Sequence, residues 1–174
     1  MINHERNYDM KTYVKILTVM LAVLMLCSLT ACGGGEPEET LETQRVPEWS
    51  LNVNGKELYV GMEMPKDLGE PTSYFEAASC AIQGLDKDYT YGSILVKTED
   101  DGKTERIVGL TILDDGAATN MGATIGSTRD KVVGLHGTPS NESETALTYT
   151  AGEGVIAKFL LRDGTVTSIT YTVQ

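Results

Sequence analysis

An internal repeat limits most strongly how this chain can fold. One segment reads Gly61-Met62-Glu63-Met64-Pro65-Lys66-Asp67-Leu68 and closes on Gly69-Glu70-Pro71. A later one reads Ile125-Gly126-Ser127-Thr128-Arg129-Asp130-Lys131-Val132-Val133-Gly134-Leu135-His136 and closes on Gly137-Thr138-Pro139. The strand-like runs behind these two segments repeat as well. Thr90-Tyr91, Ile94-Leu95-Val96, Asp101-Gly102 and Ile107 to Ile112 answer to Thr148-Tyr149, Val155 to Leu161, Asp163-Gly164 and Val166 to Tyr171, and Ile107, Leu110 and Ile112 align with Val166, Ile169 and Tyr171. Such self-similarity marks one supersecondary unit used twice. At about 60 residues each copy is marginal alone, so the two are expected to share one core.

Each copy predicts a helix followed by an antiparallel meander. In the second, Ser127 or Thr128 can cap a helix with Asp130 in its first turn, Ile125, Val132, Val133 and Leu135 suit one buried stripe, and Gly137 ends it. The first copy is three residues shorter between its glycines and contains Pro65, which limits its helix to a turn or two. Ahead of both, Trp49-Ser50-Leu51-Asn52-Val53 and Lys56-Glu57-Leu58-Tyr59-Val60 flank Asn54-Gly55, the pair that favours a type I′ hairpin turn. The expected fold class is therefore α+β: two tandem helix-plus-antiparallel-meander repeats, residues 49–115 and 116–174, with a β-hairpin opening the first. The helices should pack on one face of the sheets. Val132, Leu135, Phe159 and Ile169 should be buried together, and so should Leu110 and Ile112.

The Ile125-Gly126-Ser127-Thr128 start, the Gly-x-Pro helix end and the closing Val166-x-x-Ile169-x-Tyr171 carry a resemblance. Residues 61 to 174 resemble the tandem modules of the β-lactamase inhibitor protein and the related outer-membrane assembly lipoproteins called SmpA/OmlA. The stretch from Ser79 to Gly92 looks closer to uncharacterised lipoproteins of Gram-positive gut bacteria, which bring no known activity. The resemblance implies a fold and a binding module. The inhibitor's contact residues have no counterparts here, so no target follows from it.

The N-terminal region predicts an address. Translation from Met10 gives Met10-Lys11-Thr12-Tyr13-Val14-Lys15, short and basic; from Met1 the same region also carries Glu5 and Asp9. The run Ile16 to Leu26 is apolar apart from Thr18. Its 11 residues fall short of the roughly 20 that a membrane-spanning helix needs, so it reads as the core of an export signal. Leu29-Thr30-Ala31-Cys32 follows, with the aliphatic, small, Ala and Cys order of a lipobox. In this the chain resembles bacterial lipoprotein precursors, a family in which the thiol takes a diacylglyceryl group before the signal is cut away on its N-terminal side. The resemblance implies a signal peptide over residues 1–31, lipid attachment at Cys32, and a mature protein held on the extracytoplasmic face of the cell membrane. Two acyl chains anchor stably where one holds only marginally.

Residues 32–48 then read as a tether. After Gly33-Gly34-Gly35, the stretch Glu36 to Glu48 carries five acids, one base and little that is apolar, too little to offset its ordering entropy by burial. Removing residues 1–31 leaves 11 bases against 23 acids, a net charge of −12. That excess argues against nucleic acid as a partner and against docking of the domain itself on anionic lipid. Of the three cysteines, Cys27 leaves with the signal and Cys32 is lipidated, so Cys80 remains as the one thiol and no internal disulfide is expected.

Catalytic and metal-binding constellations are weak. The mature chain has one histidine, His136, which reads as a charge complementing a helix C-terminus, and Cys80 reads as a buried, inert thiol. Asp86-Lys87-Asp88 begins like a calcium loop, but Tyr91 stands where the sharp-turn glycine belongs and Lys97 where the bidentate glutamate belongs. Glu99-Asp100-Asp101-Gly102 and Asp114-Asp115-Gly116 read as acidic turns. No enzymatic activity, cofactor or metal is expected. The leading expectation is a membrane-anchored, non-catalytic protein-interaction module with an envelope protein as partner, and the alternative is a small-ligand or envelope-stress sensor with a pocket between the repeats. Exposure of Tyr74, Phe75, Tyr89 and Tyr149 would favour the first; a deep apolar cleft between the repeats would favour the second.

Overall fold

Asn54 and Gly55 adopt positive φ, 51° and 84°, and turn the chain between β1 (Ser50–Val53) and β2 (Lys56–Tyr59). This is the hairpin that Asn-Gly dictates. The computed structural model describes residues 48–174. The expected signal peptide, Cys32 and the tether up to Pro47 lie outside the described residues.

Eight further strands build one antiparallel sheet. They are β3 (Ser73–Ala78), β4 (Leu85–Tyr91), β5 (Ile94–Asp100), β6 (Glu105–Ile112), β7 (Asn141–Ser143), β8 (Ala146–Thr150), β9 (Val155–Arg162) and β10 (Thr165–Val173). Their order is β3-β4-β5-β6-β10-β9-β8-β7. Two four-stranded meanders thus meet through their last strands, where Ile112 faces Ile169 and Leu110 faces Tyr171.

The aligned apolar triplets have a structural cause. Ile107, Leu110 and Ile112 step by three and then two, as do Val166, Ile169 and Tyr171, although a plain strand repeats every two residues. In β6 the register against β5 shifts between Ile107 and Gly109; in β10 the register against β9 shifts between Val166 and Ser168. Val108 and Thr167 are the extra residues, at the same place in each copy. A bulge changes which face the following residues occupy, so all three apolar members of each triplet still point inward.

The protein is mostly β, which overturns the α+β expectation of a helix in each repeat. Among the described residues there is one α-helix, α1 (Arg129–His136), besides a single 3-10 turn at Gly152–Gly154. Thr128 caps α1 by accepting from the Lys131 amide at 3.3 Å, and Gly137 ends it at φ 78°. The segment leading into α1 is anchored to the start of β10, with Gly126 N–H donating to the Val166 carbonyl, Val166 N–H to the Ser127 carbonyl and Arg129 N–H to the Gly164 carbonyl, each at 2.9 Å, and the corresponding segment of the first repeat is anchored to the start of β6 in the same way. Gly61 N–H donates to the Ile107 carbonyl at 2.7 Å, Ile107 N–H to the Met62 carbonyl at 2.9 Å, and Met64 N–H to the Glu105 carbonyl at 2.9 Å. The difference comes after this anchor: the first repeat is three residues shorter before its closing glycine and has Pro65, which offers no amide to a helical ladder.

The hairpin and α1 lie on one face of the sheet and close a single apolar cluster that spans both repeats. Trp49 sits where they meet. Its ring stacks on His136 at 4.7 Å and lies 5.3 Å from Tyr149 and 5.5 Å from Tyr171. Val132, Phe159, Ile169, Leu110 and Ile112 are buried as expected, but Leu135 is only partly buried against the cluster. The opposite face carries Thr90, Thr111, Thr148, Thr170 and Thr172 with exposed Lys97 and Lys158.

Candidate interaction site on the first repeat

The two edges of the sheet are built differently. At one end β7 has three residues and is held by α1: Arg129 makes an ion pair with Glu142 at 3.2 Å and donates to the Ser143 carbonyl. At the other end β3 has six residues, all exposed, paired only with β4. The registers make Tyr74 and Phe75 the equivalents of Glu142 and Ser143. The helix missing from the first repeat is the element that would have brought a covering side chain.

Tyr74 is 48% and Phe75 63% exposed, on opposite faces of β3. Tyr74 continues inward as a row of rings, lying 5.0 Å from Tyr89, which lies 6.5 Å from Tyr91. The next row is charged. Lys87 Nζ donates to Asp100 Oδ2 at 2.6 Å and Glu105 Oε2 at 3.3 Å, and Thr98 Oγ1 donates to Glu105 Oε1 at 2.6 Å. Hydrogen bonding to Asp100 raises the Lys87 ammonium above its ordinary pKa, and Lys87 in turn lowers the Asp100 carboxyl. Burial, followed by the nearby Glu105 carboxylate, pushes the Tyr89 phenol up, so it stays a neutral donor.

A cleft of about 420 Å³ lies over this row, between the 63–71 segment and β4 to β6. Met64, Leu68, Tyr89 and Tyr91 meet Glu63, Lys66, Lys103 and Glu105 in its walls. It is a polar, open feature of the first repeat.

The residues singled out in the sequence fall in different places. Tyr74 and Phe75 are exposed, Tyr89 is half-buried, and Tyr149 is buried with its hydroxyl donating to the Gly137 carbonyl at 3.1 Å. Cys80 is exposed in the loop after β3, so the expectation of a buried thiol is corrected. His136 packs against Trp49 and Phe159 at the other half of the sheet, and its ring is pushed below its ordinary pKa by burial. The strands between β3 and β9, each about 4.8 Å from the next, keep this histidine far from Cys80. The acidic turns satisfy their own backbone: Asp101 accepts from the amides of Lys103 and Thr104 at 2.8 and 2.9 Å, and Asp114 from that of Gly116 at 2.8 Å. Among the described residues no group of three or more His, Cys, Asp and Glu could hold a metal ion.

The sequence reading missed the Lys87, Asp100 and Glu105 cluster. Alternation along Lys87, Tyr89 and Tyr91 was the available signal, since it places a charge on the face that carries the two tyrosines. No helix among the described residues is long and apolar enough to cross a membrane. In comparisons with known proteins no family model matches the chain, and no curated protein or solved structure matches it.

Proposed function

We propose that this chain is a surface lipoprotein, anchored through Cys32 at the extracytoplasmic face of the cell membrane, whose domain is a non-catalytic protein-interaction module. The observation that carries the interaction reading is the exposed β3 edge, where adjacent aromatic side chains stand on either side of a strand with one partner. Exposed apolar surface gathered at one place marks an interaction site more often than scattered residues do. The anchor rests on the sequence around Cys32 alone. The small-ligand alternative has weaker support, because the cleft lies within the first repeat and is lined by charged groups as much as by apolar ones.

A photo-crosslinking residue placed at Phe75 in intact cells tests the interaction, with exposed Leu160 on β9, away from that edge, as the comparison site. A discrete adduct from Phe75 is expected. Adducts from neither position would count against a protein partner. For the anchor, Cys32→Ser should leave uncut precursor, and mass spectrometry of the membrane-extracted protein should find acylated Cys32 as the N-terminus.

A further inference from the structure

We infer that β3 is a docking strand that takes an extended, basic segment of a partner protein as a ninth strand of the sheet. This rests on the interaction reading above and specifies its mode and its partner chemistry. Ser79 N–H donates to the Gly84 carbonyl at 3.0 Å, which fixes the alternation along β3. Ser73, Phe75 and Ala77 therefore bond inward to β4, while the main-chain groups of Tyr74, Glu76 and Ala78 face the free edge.

Such an edge is a template for another chain unless something blocks it. The usual blocks are absent here: Ser73-Tyr74-Phe75-Glu76-Ala77-Ala78 contains no Pro, Lys or Arg, and its pairing to β4 has no bulge. The β7 edge, short and held by Arg129, shows what a block looks like in this same fold. Tyr74 on one face and Phe75 on the other give an added strand an aromatic neighbour whichever way its side chains point.

Charge selects the occupant. Residues 70–88 carry Glu70, Glu76, Asp86 and Asp88 against Lys87, whose ammonium is already held by Asp100 and Glu105; Asp88 is paired with Lys97 at 3.2 Å, while Glu70, Glu76 and Asp86 make no ion pair among the described residues. Glu76 and Ala77 stand beside the free edge, and Ala77 is backed by Asp86 on β4. A second copy of the chain would set Glu76 near its own counterpart and bring another net charge of −11, an arrangement that cross-strand like charges oppose. An added strand with Lys or Arg at alternate positions meets carboxylates instead, and its association should weaken with salt.

The test uses the full chain in detergent with two extended peptides, one alternating Lys with Val and the other Glu with Val, read by amide hydrogen exchange. The basic peptide should slow exchange at Tyr74, Glu76 and Ala78 by at least about tenfold, the acidic one should not, and added salt should reverse the effect. Ala78→Pro removes an outward donor without breaking the β4 ladder, so it should abolish this protection while leaving β4 protected. Glu76→Lys should transfer the preference to the acidic peptide. Absence of protection at saturating basic peptide, equal protection by both peptides, or protection that grows with protein concentration alone would overturn the inference. Crosslinking from Leu160 with β3 amides unprotected would overturn the docking strand and leave the interaction reading standing; crosslinking from neither site would end both.

Discussion

The second repeat keeps its helix and the first does not, and nearly every difference between the two halves of the sheet follows from that. Where the second repeat buries Leu147 against Phe159, the first pairs a half-buried Tyr89 with Val96. Leu161 in one corresponds to Thr98 in the other, and Thr98 donates to Glu105 beside Lys87. One copy of the unit has become core. In the other, a cleft and a bare strand edge occupy the space that a helix and its arginine fill in the first case.

The largest effect should come from separating the halves. A fragment ending at Asp115 loses β10, and with it the neighbours of Ile112 and Leu110. A unit of that size buries only about 60% of its unfolded surface, so calorimetry on fragment 49–115 should show no cooperative transition. A sharp one would mean that the repeats are independent and that the shared core is not what holds them.

Single substitutions should divide along the same line. Phe159 is fully buried, and Phe159→Ala should cost about 3–5 kcal/mol in denaturant melts, whereas Phe75→Ala should stay within about 0.5 kcal/mol. Leu135→Ala should cost less than the 2–5 kcal/mol typical of buried leucines, because part of that side chain already faces water.

Acid should weaken the helical half first. Burial holds His136 below its ordinary 6.5, so between the folded pKa and 6.5 the unfolded chain binds more protons than the folded one. The His136 contribution is therefore complete above that ordinary value and is lost as pH falls through the window. His136→Phe should flatten the dependence of melting temperature on pH there; an unchanged slope would show that the imidazole beside Trp49 titrates as in water.

A small effect on stability should also be seen at the protected edge. Arg129→Ala removes a partly exposed ion pair with Glu142 and should cost at most about 1 kcal/mol. Its consequence should be seen in exchange rates, with the β7 amides opening toward the behaviour of β3.

Much of this was legible in the residues themselves. Asn54-Gly55 and Asp163-Gly164 specified their turns, both with positive φ at each position. Thr128, Asp130 and Gly137 bounded α1. The three-then-two spacing of Ile107, Leu110 and Ile112 even held the bulge, had parity been counted. What the sequence left open was how far the shortening goes: it allowed Gly61 to Gly69 a turn or two of helix, and that segment, anchored to β6 as its counterpart is to β10, forms none. The β3 segment gave no edge or core signal, because Tyr74 and Phe75 are adjacent and fix no buried face. Cys32 lies outside the described residues, and its role still rests on the four residues of the lipobox.

Amide hydrogen exchange on the free monomer tests the central contrast most directly. With one edge bare and the other held, the amides of Tyr74, Glu76 and Ala78 should exchange near the rate of an unstructured chain, while those of Phe75 and Ala77, bonded to β4, should be slower by at least about a hundredfold. Equal protection at all five positions in a dilute monomer would show that the β3 edge is already covered, and would contradict the account.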